Sequence, residues 1–237
     1  MHIKGRYFLP GIRERERIRI KSISCVMERL QSLLKTYNQS HSEDNLLAPW
    51  NRQYCEDVFP KYWETTYAIL QSLDKNSRVI EIGCGLGAIT SILCYLGYRN
   101  ITSFEKDSLL ADKARQRIKD LFNRDNIIFT SEYPNGNAYS CDILILVNCA
   151  YGYQTNNKSE YLDSLRSFYE SAGNPQYFIL EVIDDSYTID DDEFPLHIRL
   201  NSDDIRNSYP ECSIKSWITY KYPENKKSKT LYLIERS

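Results

Sequence analysis

The chain has 237 residues, 42% hydrophobic and 26% charged, which is enough apolar material for a packed core and excludes wholesale disorder. Its 30 Lys and Arg against 32 Asp and Glu leave a formal charge of −2, so it is not built as a general polyanion binder and carries no strong nucleic-acid signal. The longest apolar run, Ile143–Val147, falls far short of the roughly 20 residues a membrane-spanning helix needs, and no secretory pattern opens the chain.

In chain order, Ile23, Val26, Met27, Leu30, Leu33, Leu34 and Tyr37 recur at helical spacing and predict one amphipathic helix. Residues 1–35 hold nine basic and three acidic side chains, read either as a solvated face or as a surface for an acidic substrate or partner. Residues 38–53 are polar, carry Pro49 and read as a loop. Within that stretch Trp50 and Arg52 look like a substrate lid, since a ring and a guanidinium suit sugars, nucleotides or acidic groups. Pro60 suits the start of a second helix whose inner side is Trp63, Thr66, Ile69, Leu70 and Leu73. Residues 1–60 are therefore read as an N-terminal helical extension or lid, and 61–237 as the main domain.

From residue 78 the pattern changes to short apolar runs alternating with helical periods. Strands are expected over 78–82, 101–105, 126–130, 142–147 and 176–183, with helices over 86–96, 108–122, 158–171 and 203–209, the last capped by Ser202. Two final β-rich runs, 213–221 and 230–235, are separated by the polar YPENKKSK and read as a hairpin. Continuous apolar strands with helical crossovers predict an α/β fold: a doubly wound, Rossmann-like, seven-stranded and mostly parallel sheet, with a C-terminal antiparallel hairpin and an N-terminal helical cap.

The seven cysteines (Cys25, Cys55, Cys84, Cys94, Cys141, Cys149 and Cys212) form no C-x-x-C pair and are odd in number. They read as reduced thiols of a cytoplasmic protein. No metal is expected, because His2, His41 and His197 are scattered and not at ligand spacing.

The sharpest signal is Glu81-Ile82-Gly83-Cys84-Gly85-Leu86-Gly87, placed where a first strand turns into a first helix. Glycines there let the backbone turn tightly and approach a ligand, and the helix that follows offers unpaired N–H groups. Glu105 lies at the end of the next strand, where a carboxylate accepts from ribose hydroxyls in doubly wound folds. Together these predict a nucleoside-containing cofactor. Glu81 beside the loop would repel a pyrophosphate and attract a cation, which disfavours a nicotinamide dinucleotide. An NAD(P)-dependent oxidoreductase and a noncatalytic partner subunit that keeps the fold stand as alternatives.

On Glu81-x-Gly83-x-Gly85-x-Gly87, Glu105, Ser131-Glu132 and the strand ending in Asn148, residues 60–237 resemble the class I S-adenosylmethionine-dependent methyltransferases. The resemblance implies that S-adenosylmethionine is the cofactor. It implies that the glycine loop, Cys84 included, holds the methionine and ribose part, that Glu105 holds the ribose hydroxyls, and that Ser131 or Glu132 contacts the adenine. The expected acceptor is a small molecule or a saccharide, with O-methylation favoured.

Asn148-Cys149-Ala150-Tyr151-Gly152-Tyr153 follows the fourth strand and should face the reacting group. It partly resembles the Asn/Asp-Pro-Pro-Tyr signature of amino-group methyltransferases, which keeps an N-methyltransferase open. Asn148, Tyr151, His197 and Asp184 are the catalytic candidates: the first two by that resemblance, His197 as a base of near-neutral pKa, and Asp184 as the carboxylate just past strand five. Trp50, Arg52 and Tyr153 are the substrate-binding candidates. Glu181–Glu193 holds seven acidic residues, read as a solvated loop or as a receiver for a cationic acceptor. The sequence does not set the oligomeric state.

Overall fold

The computed structural model describes residues 12–41, 59–152, 154–187, 194–221 and 228–237, with side chains from residue 26 onward except at 220 and 221. Trp50, Arg52, Tyr153 and the acidic residues 190–193 lie outside the described residues.

Eight strands form one sheet: β1 (Arg78–Ile82), β2 (Asn100–Glu105), β3 (Ile128–Thr130), β4 (Ile143–Leu146), β5 (Tyr177–Asp184), β6 (Arg199–Leu200), β7 (Cys212–Lys221) and β8 (Ser228–Arg236). Their order is β3-β2-β1-β4-β5-β8-β7, with the two-residue β6 pairing off this path onto β5. All pairs along β3 to β5 are parallel, whereas β8 runs antiparallel between β5 and β7. The seven strands of this path are the expected ones, with the last two antiparallel; β6 is an addition that a two-residue strand gives no pattern to predict.

The apolar runs are buried on both faces, as parallel strands between helices require. In β4, Ile143, Leu144, Ile145 and Leu146 are all 0% exposed. Ile143 and Ile145 join one core with Leu30 and Leu34 of α1 (Ile12–Ser40), Trp63 and Leu70 of α2 (Lys61–Ser72), Ile92 of α3 (Ala88–Tyr95) and Ile118 of α4 (Ser108–Phe122). Leu144 and Leu146 join the other with Tyr161 and Leu165 of α5 (Lys158–Ser171) and Ile205 of α6 (Ser202–Ser208). Each such side chain contributes roughly 1.5–3 kcal/mol on burial. The helix expected from the N-terminal periodicity is thus α1, and its seam residues Leu30 and Leu34 are buried in the first of these cores.

Helix ends follow local chemistry. Asp107 caps α4 by accepting from the N–H groups of Leu109 and Leu110. At α6 the cap is Asn201, not the expected Ser202: Asn201 accepts from Asp203 and Asp204 N–H, while the Asp204 carboxylate accepts from the Asn201 N–H. The reciprocal pair satisfies more orphan donors than a serine one residue later could. None of the described helices is long and apolar enough to cross a membrane.

Candidate functional site

The site lies at the carboxyl ends of β1, β2, β4 and β5, the edge at which open α/β sheets bind ligands, with the amino end of the antiparallel β8 beside them. It has two halves.

The first half is the bend after β1. Gly83, Gly85 and Gly87 have φ of +67°, +53° and +77°. At Gly83 a Cβ would sit 2.7 Å from the Cys149 Cβ, so this position serves close approach between the bend and the loop after β4. At Gly85 nothing lies within 4 Å of where a Cβ would point: the bend turns an open face to its surroundings there. The bend is clamped from several directions. Cys84 N–H donates to the Phe104 carbonyl at 3.0 Å, and Gly85 N–H donates to Glu105 Oε2 at 2.8 Å. Glu105 Oε1 accepts from Asp107 N–H at 3.0 Å, so one carboxylate ties the bend to the start of α4.

Two further contacts fasten the N-terminal helices to the same bend. Arg117 is 5% exposed and donates to the Leu86 carbonyl at 2.8 Å and to Asn38 Oδ1 at 2.6 Å. Trp63 Nε1–H donates to the Ala88 carbonyl at 3.1 Å. Arg117 thus ties α1 to the bend, and Trp63 ties α2 to the start of α3.

Glu81 behaves differently from its expected place beside a charged ligand. It is 3% exposed, and its Oε2 accepts from Thr90 Oγ1 at 2.6 Å and Ser103 Oγ at 2.9 Å. Burial pushes its pKa up to about 7 against the pull of those hydroxyls. In this structure Glu81 braces β1 to α3 and β2 beneath the bend. The physical reason is the strand's alternation, which turns residue 81 into the layer holding the buried Thr90 and Ser103. Cys84 is buried, and its thiol is raised well above its ordinary pKa by burial, so it is an inert wall and not a nucleophile.

Ser131 N–H donates to the Glu105 carbonyl at 3.0 Å, which sets the loop after β3 beside the clamp. The Ser131 hydroxyl donates to the Glu132 carbonyl at 2.9 Å and accepts from the Asn135 amide at 3.2 Å. Glu132 is exposed.

The second half is the loop after β4. Asn148, Ala150 and Gly152 take φ of +55°, +52° and +69°; the left-handed conformation costs roughly 1–2 kcal/mol at Ala150, and such strain concentrates at functional sites. A proline holds φ near −65°, so Ala150 sits in a conformation closed to proline. The backbone here is therefore not that of an Asn-Pro-Pro-Tyr loop. Cys149 lies against Gly83 and donates its thiol to the Ile82 carbonyl at 2.9 Å; burial raises its pKa and keeps it a thiol.

Asn148 and Tyr151 do come together, around a residue that sequence reasoning missed. Lys229 Nζ donates to Asn148 Oδ1 at 2.7 Å and to Tyr151 Oη at 2.7 Å, and lies 4.8 Å from the Tyr151 ring centroid. Tyr151 O–H in turn donates to Asn148 Oδ1 at 2.9 Å. Burial raises the Tyr151 pKa well above its ordinary value, so it stays a phenol. Below them Glu181 is 0% exposed; it accepts from the Asn148 N–H at 3.1 Å and from the Thr219 hydroxyl. Burial raises the Glu181 pKa, opposed by the Lys229 charge and by those two hydrogen bonds.

Both residues had a signal. Glu181 is a carboxylate inside the apolar run FILEVI. Lys229 shares strand parity with Leu231 and Leu233, but the polar run before it reads as a turn.

The other two catalytic candidates are engaged elsewhere. Asp184 accepts from Ser186 N–H at 3.0 Å and Thr230 Oγ1 at 2.8 Å. Burial raises its pKa, but bonds from Ser186, Thr230 and Ser228 outweigh that and hold it below the usual carboxylate value. It stitches β5 to β8. His197 lies in a short 3-10 turn, Leu196–Ile198, against α5; its Nε2 is buried with no hydrogen-bond partner. No hydrogen bond among the described residues joins His197 to Asn148, Tyr151 or Lys229. No three His, Cys, Asp or Glu side chains gather as a metal site among the described residues.

No family model matches the chain, and no curated protein matches it by sequence. Solved structures do match in fold. Magnesium protoporphyrin IX methyltransferase from Synechocystis PCC 6803, with bound SAH, superposes with a TM-score of 0.60 at 15% identity, covering 88% of this chain and 100% of that one. The O-methyltransferase from Bacillus cereus in complex with SAH gives 0.52 at 17% identity, over 86% and 91%. The N-methyltransferase NodS from Bradyrhizobium japonicum WM9 gives 0.53 at 13% identity, over 74% and 97%. The fold is thus that of the class I S-adenosylmethionine-dependent methyltransferases.

Proposed function

We propose that the chain is a methyltransferase that uses S-adenosylmethionine to methylate a small-molecule or saccharide acceptor, O-methylation being favoured over N-methylation. The observation that carries this reading is the bend after β1, open at Gly85 and clamped by Glu105. A carboxylate has about four acceptor positions. Glu105 uses two on backbone N–H groups, which leaves acceptor capacity for a ribose diol at the end of β2. The donor chemistry of the bend suits the group: backbone N–H groups, and a carboxylate at the sugar's place. Gly83, Cys84, Gly85 and Gly87 would line the methionine and ribose part, Glu105 would hold the ribose, and Ser131 and Glu132 would stand at the adenine. Glu81 would act from below, by holding the bend.

When bound, S-adenosylmethionine supplies an electrophilic methyl on a positively charged sulfur. The chain's own residues then have to bind, orient and exclude water. Alignment alone is worth on the order of 7–11 kcal/mol in the best intramolecular models. Arg117 bonds both the Leu86 carbonyl of the bend and Asn38 of α1, which supports residues 1–60 as a lid with Trp50 and Arg52 as acceptor contacts and Tyr153 as a further pocket wall. Asn148 and Tyr151 would meet the acceptor, with Asp184 and His197 as more remote candidates. The left-handed Ala150 weighs against amino-group chemistry of the Asn-Pro-Pro-Tyr kind. A cytoplasmic site of action fits the free thiols of Cys84, Cys94, Cys141, Cys149 and Cys212.

The test is profiling of cell extract with isotope-labelled S-adenosylmethionine and the purified chain. A labelled product dependent on Gly85 and Glu105 supports the reading. Cofactor binding with no product over a broad acceptor panel would favour the noncatalytic alternative.

A further inference from the structure

Lys229 decides which way the Asn148 amide faces. Its ammonium has only donors, so the amide atom 2.7 Å from it has to be the oxygen. Turning the amide would set its NH2 against the ammonium and against the Tyr151 hydroxyl, which itself donates to that oxygen. Asn148 Oδ1 is thereby filled by two donors. Its Nδ2 lies at the other corner of the same planar group, and no described residue accepts from it. Asn148 is partly exposed at the end of β4, so these N–H donors meet accessible space. An amino-group site needs an acceptor oxygen there; this site offers the reverse.

Resting on the methyltransferase reading above, we infer that Lys229 is a specificity-determining positioning residue: it fixes the Asn148 amide as a donor, so the site takes an oxygen nucleophile that accepts this hydrogen bond, a carboxylate being the strongest such acceptor, and disfavours an amine. A carboxylate oxygen has no proton to lose, so such an acceptor asks for no base at the methyl transfer.

The experiment uses the whole chain, carrying isotope-labelled asparagine and saturated with S-adenosylhomocysteine. It is titrated separately with benzoate and with benzylamine. Asn148→Asp identifies the Asn148 side-chain amide resonances by their loss and keeps an oxygen for Lys229. Benzoate should shift the Asn148 amide saturably and benzylamine should not. The preference for benzoate should fall by about tenfold or more in Lys229→Met and in Asn148→Asp, and return in Lys229→Arg, since a site built to hydrogen-bond one group discriminates strongly against a mismatched one. Three results would overturn the inference: benzylamine binding as well as benzoate, benzoate leaving the amide unmoved or failing to bind, or Lys229→Met keeping the wild-type preference. If Lys229→Met does not fold, Lys229→Arg and Asn148→Asp carry the same comparison. Calorimetry separates the two levels. Absence of S-adenosylhomocysteine binding defeats the methyltransferase reading, whereas its binding with the wrong probe preference defeats this inference alone.

Discussion

The two halves of the site are built from different materials. The bend after β1 is mostly backbone, held by local turns, by one carboxylate from the neighbouring strand and by three left-handed glycines. The loop after β4 is mostly side chain, with Asn148, Tyr151, Glu181, Thr219 and Lys229 contributed by widely separated stretches of the chain. The first half depends on what a residue lacks, the second on what it carries. A backbone cradle can hold one cofactor in many proteins, whereas a side-chain network can be altered one residue at a time to suit an acceptor.

The contrast can be broken most forcefully at Gly83. Gly83→Ala adds a left-handed alanine and a clash with Cys149 Cβ, and should destabilise the fold by roughly 2–5 kcal/mol, read by denaturant melts. Gly85→Ala is the sharper half of the pair. Its Cβ enters open space, so stability should fall by only about 1–2 kcal/mol, the left-handed penalty, while cofactor affinity falls disproportionately. Equal stability losses in the two variants would erase the distinction between a bend that touches protein and one that faces a ligand.

Next in size is the pH response of Glu81. Its folded pKa, about 7, lies above the ordinary 4.5, so the fold prefers its protonated form. That stability is fully present below pH 4.5 and is lost as pH rises through about 7. Glu81→Gln should flatten the fall in stability between these limits by on the order of 3 kcal/mol. Glu181, also raised, leaves a residual slope. A variant as pH-sensitive as the wild type would mean that Glu81 is ionised at little cost.

Glu105→Ala should weaken S-adenosylhomocysteine binding by about 1.5–3 kcal/mol, as loss of charge-assisted hydrogen bonds would. Unchanged affinity would remove Glu105 from the ligand and leave it only as the clamp on Gly85. The smallest effect belongs to α2. Trp63→Phe deletes the bond to the Ala88 carbonyl and should cost about 0.5–1.5 kcal/mol, read by denaturant melts.

How much of this was legible in the sequence follows the same division. Apolar runs such as Asp142–Val147 announce buried strands, because a parallel sheet leaves no polar face, and the main path of the sheet could be read that way. The bend was legible because glycine spacing encodes backbone shape locally. Lys229 was not, since its role arises from β8 lying beside β5, which brings it to a loop 81 positions away in sequence. Glu81 was visible as a residue but misplaced, because a carboxylate before a glycine loop reads as ligand-facing until the strand's parity is known. Asp184 looked well placed on position alone; its hydrogen bonds to Ser186 and Thr230 give it a structural task.

Titration calorimetry of S-adenosylhomocysteine into the purified chain, run beside Gly85→Ala and Glu105→Ala, addresses the bend most directly. The account predicts saturable binding at one site per chain, weakened in both variants while their folds persist. An isotherm with no heat of binding, or one that neither substitution alters, would contradict it.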